Sequence, residues 1–251
     1  INFMKSKIIL LVALFVTTIG YSQRSPDNTY LTSFLYEAKA GMIDEFESAA
    51  AKKTKMFNSE EGNIIWTYRV LTGPAQGQYV RLLINQSSED YGQDKSKEYG
   101  YWEENVSKYA NAVSGAQHWR LNEPLSVGDD STDAPKYLER STVVMIPGME
   151  TNVYRASYRQ GVIMDKVYSG SAVRRVFTLV SGGNTQTIAS FRAFNEFPHW
   201  GNLTEDQSWE DLYNEEFGWQ QFDTDSQAYD NSIREWGIST ILMERVDNMM
   251  P

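Results

Sequence analysis

The stretch that decides the fold is Gln78-Tyr79-Val80-Arg81-Leu82-Leu83-Ile84-Asn85. At the two-residue period of a strand, Val80, Leu82 and Ile84 share one face, and Tyr79 and Leu83 the other. A strand carries apolar side chains on both faces when both are covered. The pattern returns later as Ser190-Phe191-Arg192-Ala193-Phe194-Asn195, with Arg192 at the place that Arg81 holds in the first stretch. The recurrence predicts two copies of one α+β unit.

Outward from the first stretch, residues 29–36 read as a strand, Ala40-Gly41-Met42 as a turn, and the chain from Ile43 as a helix. Phe46, Ala50 and Phe57 fall near helical spacing. Asp44, Glu45 and Glu47 lie early and Lys52, Lys53 and Lys55 late, the order that complements a helix dipole. Residues 64–71 form the next strand, and Thr72-Gly73-Pro74-Ala75-Gln76-Gly77 a hairpin loop. Past the deciding strand, Tyr99, Trp102, Val106, Tyr109 and Val113 mark one buried helical face that Gly115 stops. Residues 117–121 form a last strand. The order is β-α-β-β-α-β, a ferredoxin-like unit over 27–125.

Residues 126–136 are small, acidic and turn-rich and read as a linker; Asp130-Ser131-Thr132 within them resembles the short O-glycosylation signal of exported Bacteroidota proteins, a plain solvated linker being the alternative. The second unit covers 137–249. Its strand at 140–146 is followed by Pro147-Gly148-Met149, matching the first turn. A helix over 150–168 turns Val153, Ser157, Ile163 and Val167 inward, and Gly161 within it costs about 1 kcal/mol against alanine. A hairpin surrounds Ser181-Gly182-Gly183-Asn184. Trp209, Leu212, Tyr213 and Phe217 make one helical face, Tyr229, Ile233 and Trp236 another, and residues 239–246 close the unit.

Met4-Lys5-Ser6-Lys7, an apolar run to Ile19 and the small residues of Gly20-Tyr21-Ser22 have the form of a secretory signal peptide cut near Ser22. The run is shorter than the ~20 residues that span a bilayer. Its ending in Tyr21-Ser22-Gln23 resembles exported proteins of Bacteroidota, which implies a periplasmic or secreted product. The chain holds 33 acidic against 23 basic residues, a net charge of −10. That balance disfavours nucleic acid and anionic membrane as partners. Zero cysteines exclude disulfides and thiolate metal sites, so stability rests on core burial.

Two helices cover only one face of each four-stranded sheet, and the sister unit is the economical cover for the other. The strand–Gly–helix turns at Gly41 and Gly148, with Phe46 and Val153 behind them, and the glycine-containing hairpins resemble the dimeric α/β-barrel superfamily of ferredoxin-like proteins. The resemblance covers nearly all the chain after the leader. It implies two tandem ferredoxin-like (βαββαβ) repeats of an α+β class, packed sheet to sheet as a fused dimeric α/β-barrel, a layout seen in chlorite-dismutase-like haem proteins. Two independent domains are the alternative.

Ligand-binding candidates are His199, Trp200 and Asn202, in Phe197-Pro198-His199-Trp200-Gly201-Asn202, and the strand arginines Arg81 and Arg192. Haem-degrading monooxygenases of the superfamily use Asn, His and Trp from separate elements, whereas here the three are neighbours in one turn, which packs on the core in the plainer reading. His118 reads as structural. Each guanidinium pairs with an acid of its own unit, binds a carboxylate ligand in the barrel, or sits at a strand end with its charge in water. No phosphate-binding loop, dinucleotide fingerprint, HExxH or GxSxG occurs. The sequence therefore predicts an exported protein without a resident cofactor that binds a small apolar or aromatic molecule in a barrel cavity. The alternatives are a haem-dependent or monooxygenase-like oxidoreductase and a structural or interaction module. Oligomeric state is open.

Overall fold

The computed structural model describes residues 29–60, 62–128, 133–168, 172–197 and 208–251. The leader, Asp130-Ser131-Thr132 and the turn holding His199, Trp200 and Asn202 lie outside the described residues. In the first unit β1 (Tyr30–Ala38), α1 (Ile43–Phe57), β2 (Ile65–Val70), β3 (Tyr79–Gln86), α2 (Ser96–Asn105), β4 (Ala110–Ala112) and β5 (Gln117–Leu121) follow one another. The second contributes β6 (Tyr137–Met145), α3 (Glu150–Val167), β7 (Arg174–Ser181), β8 (Thr187–Phe194), α4 (Trp209–Phe217), α5 (Gln221–Asp230) and β9 (Ile233–Arg245).

The strands run β3-β2-β9-β6-β8-β7-β5-β1, and β1 pairs back onto β3, so eight antiparallel strands close into a barrel. Each unit keeps the ferredoxin-like order of fourth, first, third and second strand. The seams are equivalent: β2 of the first unit meets β9 of the second, and β5 of the first meets β7 of the second. The two units therefore join through hydrogen-bonded edges, and their helix-free faces meet across the interior. Leu31, Val80, Leu82, Trp119, Leu138, Phe191, Ile241 and Met243 form one core there, drawn from both units. Closure also leaves no open edge on the eight strands.

The even positions Val80, Leu82 and Ile84 face the barrel, as the alternation requires. The odd position Tyr79 packs under α1, its ring 5.0 Å from Phe46. Gly41 and Gly148 sit at φ +76° and +87° at the two strand-to-helix turns, a conformation that L side chains resist. At the end of β3 the pairing with β1 slips, and Asn85 takes φ 51°, a left-handed position asparagine tolerates better than most residues.

Two expected helical faces are corrected. α2 stops at Asn105, and Tyr109 and Val113 lie beyond it. Ala110–Ala112 forms β4 on the edge of β1, since a sheet edge satisfies this backbone better than another helical turn would. α5 stops at Asp230, and Ile233 and Trp236 belong to β9. There β9 spends five steps, Ile233 to Ile238, against the two from Met145 to Val143 in β6, and the excess bulges outward. Trp236 rides that bulge at φ 58° and is 93% exposed, and Tyr99 is 60% exposed, so neither is core. No helix of the described residues is long and apolar enough to cross a membrane.

Candidate functional site

One mouth of the barrel holds a cavity of about 340 Å³. Leu31, Leu82 and Ile84 reach it from the first unit, and Leu138, Phe177, Phe191 and Ala193 from the second, because each lies at an inward position of its strand. Trp66, Phe177, Phe191 and Phe194 make the lining aromatic. Phe177 and Phe191 meet edge to face at 5.7 Å, a favoured quadrupole arrangement. Polar groups are few and sit among Asn85, Asp133, Arg175 and Asn195. The Nη1 of Arg175 donates to the carbonyls of Val127 and Gly128 at 3.1 and 2.7 Å, which ties the segment between the units to this mouth.

A second hollow of about 280 Å³ lies on the outer face of the second unit, between the sheet and its helices. Arg174 and Arg192 face each other across β7 and β8. Arg192 donates from Nε and Nη2 to Oε1 of Glu139 at 2.9 and 2.5 Å. Arg174 donates from Nη2 to the carbonyls of Leu125 and Ser157 at 2.6 and 2.7 Å, while its buried Nε has no partner among the described residues. Burial, and then the charge of Arg192, pull Arg174 down to about 10. Trp209 and Tyr229 close the hollow from the helical side.

The equivalent place in the first unit is filled. Arg81, 2% exposed, donates from Nη2 to Oγ1 of Thr54 at 2.6 Å and from Nε to Oγ1 of Thr67 at 3.3 Å. Its guanidinium lies over Trp102, 5.0 Å from the ring centroid. Burial pulls Arg81 down to about 10. Beside it Lys53 pairs with Glu98, which also accepts from Asn58 Nδ2 at 2.9 Å. Burial and the neighbouring Arg81 bring Lys53 down to about 8 despite its carboxylate partner. For Glu98, burial pushes the carboxyl up, but Lys53 and the hydrogen bonds from Asn58 and Asn63 outweigh it and leave it below the usual range.

Both sequence-singled arginines thus face the helices. Neither points into the barrel, because the odd positions of β3 and the matching positions of β8 turn outward. Arg192 has the acidic partner of its own unit, and Arg81 has hydroxyls and an indole instead. His118 shares Thr32 Oγ1 at 3.0 Å and Tyr91 Oη at 3.3 Å through Nδ1, and burial lowers its pKa. The sequence reading placed Lys53 late in the helix as a complement to its dipole, and the structure buries it, 4% exposed. It also passed over Arg140, Arg174 and Arg175. The available signal was an arginine pair at a strand start, which alternation sends to opposite faces.

No family model matches the chain, and no curated protein matches it in sequence. Solved structures match it in shape. A protein described as a monooxygenase from Fusobacterium nucleatum superposes with a TM-score of 0.53 at 10% identity, covering 86% of this chain and 92% of that one. One so described from Lactobacillus acidophilus gives 0.52 at 9%, covering 87% and 93%. Chlorite dismutase from Candidatus Nitrospira defluvii, in complex with imidazole, gives 0.51 at 11%, covering 88% and 93%. The chain has the dimeric α/β-barrel fold. At these identities the likeness fixes the fold and leaves the chemistry to the sites.

Haem iron in proteins is held by His, Cys, Met or Tyr. The described residues lining the outer hollow offer Met164 and Tyr229 but no imidazole or thiolate. Among the described residues, no group of His, Asp and Glu could hold a metal ion. Among the described residues of this hollow, Met164 and Tyr229 are thus the side chains of a type that ligates haem iron.

Proposed function

We propose that this protein binds a small, largely apolar molecule in the barrel-mouth cavity. The observation that carries this reading is a cavity of about 340 Å³ lined by four aromatic and several aliphatic side chains beside four polar ones, the size and character of a small-molecule site. The strands that build it come from both units and are locked by two hydrogen-bonded seams, so the site is largely formed before a ligand arrives. Calorimetric titration with 2-naphthalenemethanol should give saturable binding. Ala193→Phe, which fills the cavity, should weaken it by roughly tenfold or more with the far-UV circular dichroism unchanged. Binding that survives Ala193→Phe undiminished would overturn the assignment.

A second reading is a monooxygenase-like or haem-dependent oxidoreductase acting at the outer hollow of the second unit. It is favoured by the buried, unpartnered Nε of Arg174 beside the Arg192–Glu139 pair and by the names of the structural neighbours. Incubation with haem followed by a scan for a Soret band tests it. A stoichiometric band lost in His199→Ala supports this reading, and no band opposes its haem form. In either case we take the protein as exported after cleavage near Ser22, which mass spectrometry of the secreted chain's N-terminus checks.

A further inference from the structure

Arg140 stands in β6 between Leu138 and Thr142. Its sequence neighbours Glu139 and Ser141 line the outer hollow, so alternation sends Arg140 to the other face, into the barrel. Its cross-strand partners agree: Phe191 on β8 and Ile241 on β9, both members of the interior core. Among the described residues Arg140 has no hydrogen bond or ion pair, and its Nε is sealed from solvent with no acceptor. The other inward-facing arginine at this mouth, Arg175, is held by two carbonyls. Burial draws the Arg140 guanidinium below its ordinary value. Arg140 is only partly buried, but a cation partly withdrawn from water without a counter-charge carries a cost, and an anion arriving from outside relieves it.

Arg140 is next to the cavity and not on its wall. Phe191, directly opposite Arg140 with Cβ atoms about 4.5–5.5 Å apart as antiparallel partners are, lines the cavity, as does Leu138 two residues away. The side of the cavity nearest Arg140 is therefore the one formed by Phe191 and Leu138. The protein as a whole carries a net charge of −10, so its overall field repels anions, and selection for one needs a cation placed at the site.

We propose that Arg140 is the anchor for a carboxylate, making the barrel a site for amphipathic aromatic or aliphatic acids: apolar body in the mouth cavity, acidic head on the guanidinium. This inference rests on the barrel-cavity reading above. The test is a matched pair of probes, 2-naphthoate and 2-naphthalenemethanol, titrated calorimetrically at neutral pH into wild type, Arg140→Met and Arg140→Lys. A hydrogen bond to a charged group is worth at least about tenfold in affinity. Wild type should therefore prefer the carboxylate by that factor, Arg140→Met should bind both probes alike, and Arg140→Lys should keep part of the preference. Undiminished binding of the neutral probe to Arg140→Met shows that the variant is folded. If wild type binds both probes equally, or if the preference survives in Arg140→Met, the Arg140 inference is overturned while the cavity reading stands. If wild type binds neither probe, the cavity reading falls and this inference with it.

Discussion

Lys53 and Glu98 bring opposite charges into the first unit, 4% and 7% exposed. Removing one partner of such a pair leaves the other buried and uncompensated, which costs about 3–5 kcal/mol. Lys53→Met should lose stability by that order in urea unfolding, and the double variant Lys53→Met/Glu98→Leu should recover most of it. A double variant as unstable as the single one would show that the pair stabilises beyond its own repair. The pH dependence follows from Lys53. Its folded value is about 8 against an ordinary 10.5, so between those values the unfolded chain binds more protons, and stability from this site rises with pH across that window. Wild type should gain on Lys53→Met between pH 8 and 10. A gap that is flat or narrows would contradict the assignment. Such pairs were illegible in the sequence because a lysine late in a helix satisfies the dipole rule equally well on either face. Only the packing of α2 against α1 decides that Lys53 turns inward.

At the scale of elements, helix α3 carries its own warning in Gly161. Propensity alone makes Gly161→Ala favourable by about 1 kcal/mol. A Cβ there would lie 2.9 Å from Arg174 Nη2 and 3.0 Å from Val127 Cγ2, so the variant should instead lose about 1–3 kcal/mol as overpacked sites do, read in the same urea assay. A net gain would mean that α3 has room to shift. The helices of the second unit are tied by Asp225 of α5, which accepts from Arg155 and Arg159 of α3 and from Tyr213 of α4 at 2.8, 2.6 and 2.7 Å. Deciding strands and hairpins were legible because alternation and glycine placement are local. The ends of α2 and α5 were not, since Val106, Tyr109, Ile233 and Trp236 keep helical spacing past the point where β1 and β6 capture the backbone. That Val80, Leu82 and Ile84 share a face was legible from alternation, but Arg140 was missed, because a single charged residue beside an apolar run looks like a strand end until the register with Phe191 and Ile241 is known.

Across the whole molecule, closure couples the units in a second way. The last turn, Asp247–Met249, leaves β9 of the second unit and packs on the first. Met249 is fully buried with Phe46, Ala50 and Tyr79 under α1, and Asn248 donates to Glu47 at 3.1 Å. Met249→Ala should therefore cost about 2–5 kcal/mol, although it lies two residues from the end of the chain. A change within ~0.5 kcal/mol would mark that turn as peripheral. Crystals soaked with 2-naphthoate show directly where a ligand sits. The ring should lie in the barrel mouth among Trp66, Phe177 and Phe194, with its carboxylate on Arg140; a ring lodged instead beside Arg174 and Arg192, between sheet and helices, would contradict the barrel-cavity assignment.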